Sequence, residues 1–205
     1  ALFSLEMSES ELAQRFIASQ ASIKGDDLRK GKVPGSRWPK ILQASNRLAE
    51  SPLYIDDSSD LSVLDVRAKS RRLAQQNADG LGLILIDYLQ RLQAPGAHRD
   101  KRSMTNTILD TFRAFADADR GLLVLSSVGR QPTGKHGQST YDGLGLASFK
   151  ESGDIEYAAD DAYILPPVEN GRTELRHVKA RHTEMASILL RADLGFGDAY
   201  SDGRA

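Results

Sequence analysis

The sequence predicts an α/β domain organised around a mostly parallel central sheet flanked by helices, and three observations carry that reading. Residues 83–90, Leu-Ile-Leu-Ile-Asp-Tyr-Leu-Gln, form an apolar run behind Gly80-Leu81-Gly82, the pattern of a strand buried on both faces. A helix-patterned segment separates that run from a shorter one at 53–55, and another separates it from a run at 122–125. Strand, helix, strand order requires a crossover and hence parallel pairing. With 205 residues, 40% of them hydrophobic, one domain spanning residues 1–205 is expected.

Taken in order, residues 1–6 read as a short strand, and Ser8 with Glu11 three residues later is a capping box that starts a helix. Leu12, Ala13, Phe16 and Ile17 give that helix one apolar stripe. Lys24, Arg29, Lys30 and Lys32 form a basic cluster that suits phosphates, although a solvated helix end explains it better. Pro34-Gly35 and Trp38-Pro39 punctuate a loop before a helix at 41–50, and a longer helix is expected at 61–77. Beyond the central strand lie a polar loop at 93–102, a helix at 103–119 and the strand at 122–125. Residues 126–148 lose periodicity and gain five glycines and Pro132, so a long mobile loop is expected beside the sheet. Runs at 162–165, 173–180 and 185–192, with Asn170-Gly171 between the first two, predict a C-terminal antiparallel hairpin that extends the sheet.

Composition narrows the function classes. Lys and Arg number 27 against 28 Asp and Glu, so no bulk positive field marks a polyanion partner, and anion binding has to come from local clusters. Cysteine is absent, which removes disulfides and thiolate metal sites. No apolar run approaches the about 20 residues of a membrane span, so a soluble, intracellular protein is expected. The chain opens directly on an apolar strand, as if truncated at its N-terminus.

Asp87 breaks the central apolar run. A carboxylate at the carboxyl end of a parallel strand lies where open α/β sheets bind ligands, and in nucleotide hydrolases such an Asp helps hold Mg²⁺; the alternative is an Asp that caps the next loop. Glu6 ends the first strand in the same way, so the two carboxylates can meet at one rim and serve metal and water, unless Glu6 only answers the following helix dipole. Gly129 and Gly134-Lys135 resemble a phosphate loop, but His136 stands where the hydroxyl belongs and no helix follows, so that reading is rejected. Lys179 and Arg181 alternate on a strand and share a face, which suits a polyphosphate, although by spacing alone an exposed strand edge explains the pair slightly better. His98, His136, His177 and His182 lack metal-ligand company and are read as structural or solvated. The segment 150–156, followed by Ala158-Ala159-Asp160-Asp161, reads alone only as a turn.

Together these pieces resemble the C-terminal RecA-like ATPase domain of the DnaB-type replicative DNA helicases, a P-loop NTPase fold. Phe3-Ser4-Leu5-Glu6-Met7-Ser8 is similar to the motif with the catalytic glutamate, and Leu85-Ile86-Asp87-Tyr88-Leu89-Gln90 to the Walker B strand. The segment 150–156 resembles the family's Arg-Glu-Ser-Gly-Ser-Ile-Glu, and Lys179-Ala180-Arg181 its Lys-x-Arg motif. The resemblance runs from residue 1 to about 192. It implies an ATP-driven 5′ to 3′ helicase motor, cytoplasmic and bacterial or phage-encoded, that works as a homohexamer on single-stranded DNA with primase and a helicase loader as further partners. It implies that Glu6 activates water, that Asp87 organises Mg²⁺ beside ATP, and that Lys179 and Arg181 reach the γ-phosphate of the neighbouring subunit. It also implies that Lys150, Glu151 and Gly153 line the DNA channel.

Three departures bear on those roles. The family's preceding strand and phosphate loop (Walker A) are absent ahead of residue 1, so the chain as given is expected to bind ATP poorly. Ser127 takes the place of a polar sensor Gln, with a shorter reach to the nucleotide. His182-Thr183-Glu184 replaces the family's Asn-Gly, the mark of a divergent or phage-type relative. Two other readings stand beside the helicase: a RecA-like ATPase of recombinase or clock type, and a degenerate subunit that only binds DNA or a ring.

Overall fold

The computed structural model describes residues 1–96, 100–115, 121–128, 144–149, 154–166, 170–193 and 198–201. The chain forms two compact units. The first comprises Ala1–Glu6, Tyr54–Ala162 and Val178–Glu184, and the second Met7–Leu53, Tyr163–His177 and Met185–Ala205.

The first unit holds a four-stranded sheet of β1 (Leu2–Ser4), β2 (Ile55–Asp56), β3 (Leu83–Asp87) and β4 (Gly121–Val124), in the order β2-β1-β3-β4. All three pairings are parallel, and the register sets Phe3 opposite Ile86 and Ser4 opposite Asp87. One face of the sheet packs against α4 (Val63–Gln76) and α5 (Lys101–Phe115). Phe3, Ile84 and Ile86 interleave there with Val63, Val66 and Ile108, all buried. Ser62 caps α4 through a reciprocal box: it accepts from the Asp65 N–H while its own N–H donates to the Asp65 carboxylate.

The expectation that the central run is buried on both faces needs correction. Ile84 and Ile86 are buried, but Leu83 is 49% exposed, and Leu123 and Leu125 are exposed as well. Leu83 stands opposite Gly121 and its side chain lies over that glycine, where a Cβ would come within 3.2 Å of Leu83 Cδ1. An apolar run thus marks this strand without fixing how many of its faces are covered.

In the second unit α1 (Glu9–Ala21), α2 (Gly25–Arg29) and α3 (Trp38–Glu50) pack around Ala21, Ile23, Ile41 and Ala44. The Ser8 capping box forms as the sequence indicates, with the Glu11 N–H on the Ser8 hydroxyl and the Ser8 N–H on the Glu11 carboxylate. The helix predicted from residue 41 begins at Trp38, because Pro39 falls in its first turn, where a missing N–H costs nothing. The basic cluster is solvated: Asp26 pairs with both Arg29 and Lys30 on the surface.

The C-terminal strands β5 (Asp161–Ile164), β6 (Arg172–Ala180), β7 (Ile188–Asp193) and β8 (Asp198–Ser201) form a sheet of their own in the order β5-β6-β7-β8. The pairs β6/β7 and β7/β8 are antiparallel. The expected antiparallel hairpin is present, but among the described residues it belongs to this second sheet and is not paired with the parallel one. Of the loop expected at 126–148, residues 129–143 lie outside the described residues. A short α6 (Asp154–Ala158) precedes β5. Among the described residues, no helix is long and apolar enough to cross a membrane.

A half-buried ion pair ties α4 to β2: Lys69 Nζ lies 2.5 Å from Asp56 Oδ2, and the Ser58 N–H also donates to Asp56. Burial pushes the Asp56 carboxyl up, but the hydrogen bonds from Lys69 and Ser58 and the lysine charge outweigh it and hold the group below its ordinary value. A depressed carboxyl stabilises the fold above its unfolded pKa of about 3.9, and that contribution is lost as pH falls through the folded value. Lys69→Met is therefore expected to cost up to about 1 kcal/mol at pH 7, with the difference from the parent shrinking below about pH 4. Urea unfolding of both chains at pH 7 and pH 3 checks this; a deficit that does not change with pH would refute the assignment to Asp56.

Candidate active site

Three adjacent parallel strands bring their carboxyl ends to one rim. The Leu5 N–H donates to the Asp87 carbonyl at 2.8 Å, continuing the β1/β3 ladder one step past Ser4 and Asp87, and Glu6 follows at once with its side chain exposed. Asp87, the last residue of β3, is half-buried, and a cis peptide joins it to Tyr88. The Leu89 N–H donates to the Leu125 carbonyl at 2.9 Å, which brings the exits of β3 and β4 together. Ser127 lies just beyond that exit, half-buried. The fold thus places Glu6, Asp87 and Ser127 along one edge.

A residue of this edge to which sequence reasoning gave no role is Gln90. Its Nε2 donates to the Ser126 hydroxyl at 2.9 Å, and its Oε1 accepts from the Ser127 N–H at 3.2 Å. One amide side chain therefore fixes the turn after β3 to the exit of β4, satisfying backbone and side chain together. The only sequence signal for it is a polar residue that closes the 83–90 run, which many turns share.

Lys179 and Arg181 stand elsewhere, at the end of β6, and both reach the carboxyl end of α6. Lys179 Nζ donates to the Glu156 carbonyl and, at 2.8 Å, to the Ala159 carbonyl. Arg181 Nη1 lies 2.5 Å from Asp160 Oδ1. Lys150, Glu151 and Gly153 lie outside the described residues, as does the rejected phosphate-loop lookalike at Gly134-Lys135. His177 stacks on Tyr163 with ring centroids 4.3 Å apart, and its Nδ1 accepts from the Ala186 N–H, a structural use of this histidine.

Among the described residues no three His, Cys, Asp or Glu side chains gather as a metal cage. Mg²⁺ does not need one, since it is commonly held by one or two carboxylates, waters and the phosphates of its nucleotide. Asp87 at an open rim fits that mode.

A helix-flanked parallel sheet with acidic residues at the carboxyl ends of neighbouring strands has the architecture of the RecA-like P-loop NTPase fold. The family described as DnaB-like helicase C terminal domain matches residues 1–192, and the chain belongs to that family. It is 35% identical over 167 residues to replicative DNA helicase DnaB of Geobacillus stearothermophilus, covering 80% of this chain and 36% of that protein. Replicative DNA helicase DnaC of Bacillus subtilis is 34% identical over 80% of this chain and 36% of its own length. The DnaB helicase of Treponema pallidum is 31% identical over 96% of this chain and 43% of its own length. The chain thus spans about a third of the first two relatives. Among solved structures, an ATPase domain superposes with a TM-score of 0.88 at 23% identity, covering 98% of this chain and 73% of that one. A DnaB-like replicative helicase studied with its primase interactions superposes at 0.87 and 23% identity, over 97% of this chain and 49% of that one. At that identity the likeness concerns the fold. A DnaB-like ATPase domain implies nucleotide binding.

Proposed function

We propose that this chain is the motor of an ATP-dependent 5′ to 3′ DNA helicase that works as a ring of six on single-stranded DNA. The observation that carries this reading is the parallel β1/β3 register, which sets Glu6 and Asp87 at the ends of adjacent strands in a chain of this family. Asp87 would hold Mg²⁺, which neutralises charge on the ATP phosphates when bound. Glu6, exposed at the rim, accepts a proton from the attacking water, a task worth about 10²- to 10⁴-fold in rate. Ser127, with its N–H engaged by Gln90, occupies the sensor position next to Asp87. Lys179 and Arg181 serve the nucleotide of the adjacent subunit, and Lys150, Glu151 and Gly153 contact DNA. Primase and a helicase loader are its further partners in this reading, the first in keeping with the primase interactions of a structural neighbour.

The recombinase or clock-type alternative finds no support among the relatives above, each named a replicative DNA helicase. A degenerate, non-catalytic subunit is disfavoured because both rim carboxylates are retained. The test is strand displacement by the full-length protein on a fork with a 5′ single-stranded tail, with ATP and Mg²⁺. Unwinding that needs the 5′ tail and stops with Glu6→Gln is expected. ATP hydrolysis without displacement of either strand would reject the helicase reading and leave an ATPase of another kind.

A further inference from the structure

The two cations at the end of β6 do not project freely. Arg181 Nη1 donates to Asp160 Oδ1 at 2.5 Å, its Nη2 donates to the Tyr157 carbonyl at 3.1 Å, and its backbone N–H donates to the Asp160 carbonyl at 2.9 Å. Lys179, two residues earlier, donates to the Glu156 and Ala159 carbonyls of the same turn. A guanidinium carries five N–H donors in a planar fork. Asp160 and Tyr157 each engage a different terminal nitrogen, so the plane is fixed while other donors of the fork remain for a further oxygen ligand.

We propose that Asp160 is a positioning residue for Arg181, holding the guanidinium in the orientation from which it meets a phosphate of the neighbouring subunit. The inference rests on the reading of Arg181 as a group acting in trans. Its physical basis is that a long, flexible arginine reaching across an interface otherwise loses rotamer freedom at the moment of reaction, and a preset fork has already lost it. The pair is 46% and 60% exposed, so it contributes little to the fold, and its removal separates orientation from stability. Asp160 lies in the stretch 158–161 that sequence reading treats as a turn, and its partner is 21 residues away, which is why spacing alone does not reveal it.

The test uses the full-length protein with Asp160→Ala, Asp160→Asn, Arg181→Ala and the double variant Asp160→Ala/Arg181→Ala. Asp160→Ala is expected to lower kcat for ATP about tenfold, with the KM for ATP and the melting temperature unchanged. Asp160→Asn, whose amide oxygen still accepts from Nη1, restores most of that loss. In the Arg181→Ala background, Asp160→Ala adds no further loss, because the residue acts only through the arginine. An equal loss in both backgrounds overturns the proposal, as does unchanged or raised turnover for Asp160→Ala alone. Normal turnover by Arg181→Ala instead overturns the underlying reading of Arg181, so the two failures are distinguishable.

Discussion

Phe3→Ala is expected to destabilise the first unit by about 3 to 5 kcal/mol, a large share of the roughly 5 to 15 kcal/mol that holds a domain folded. Phe3 is 1% exposed, sits in the middle of β1 and interleaves with Val63, Val66 and Ile86 under the parallel sheet. Truncation removes apolar surface from the core and leaves a cavity, because β1 is paired on both sides and cannot collapse into it. Glu6 lies three residues further on, so a loosened β1 also shifts the rim, and ATP turnover in the full-length protein should fall along with stability. Leu64→Ala on the solvent side of α4, where the leucine is 45% exposed, is the control and should cost no more than about 0.5 kcal/mol. Urea unfolding of the two variants decides the matter; comparable losses from both would mean that Phe3 is not where the core is concentrated.

The pieces of the rim were legible in the sequence because each is local. An apolar run ended by Asp87, and a short apolar opening ended by Glu6, are patterns in neighbouring residues, and so is the Ser8 capping box. Strand adjacency is not local. That β1 sits between β2 and β3 follows from how the crossover segments pack, and no pattern within a strand encodes it. The close approach of Leu83 to Gly121, 38 positions later, follows only once the register is known. The same limit hid the destinations of Lys179 and Arg181. Their alternation placed them on one face, but their partners lie on a five-residue helix, too short to announce itself by periodicity, and on the two residues that follow it. The separate C-terminal sheet was missed for a related reason: hairpin signals indicate antiparallel pairing without saying which sheet the pair joins.

Arg181→Ala in the full-length protein is expected to cut ATP turnover by about 10³- to 10⁵-fold while leaving nucleotide binding largely intact. A cation supplied from a neighbouring subunit acts on charge that develops in the transition state, so its loss shows in kcat far more than in ground-state affinity. Glu6→Gln should be inactive for a different reason, since the amide cannot take the proton of the attacking water. The two residues lie on different sheets of the same chain, Glu6 at the rim of the parallel sheet and Arg181 just past the end of β6. If a working site takes Glu6 from one subunit and Arg181 from the next, mixing the two inactive variants regenerates intact pairs at about a quarter of the interfaces of a randomly mixed ring. Activity should then rise above that of either variant alone, with subunit exchange confirmed beforehand by labelled chains. Asp160→Ala belongs to the same complementation group as Arg181→Ala and should likewise be rescued by Glu6→Gln but not by Arg181→Ala. Mixed rings that form yet stay at the level of the single variants would place Arg181 in its own subunit's site or in a purely structural role, and the interfacial assignment of the cation pair would fall.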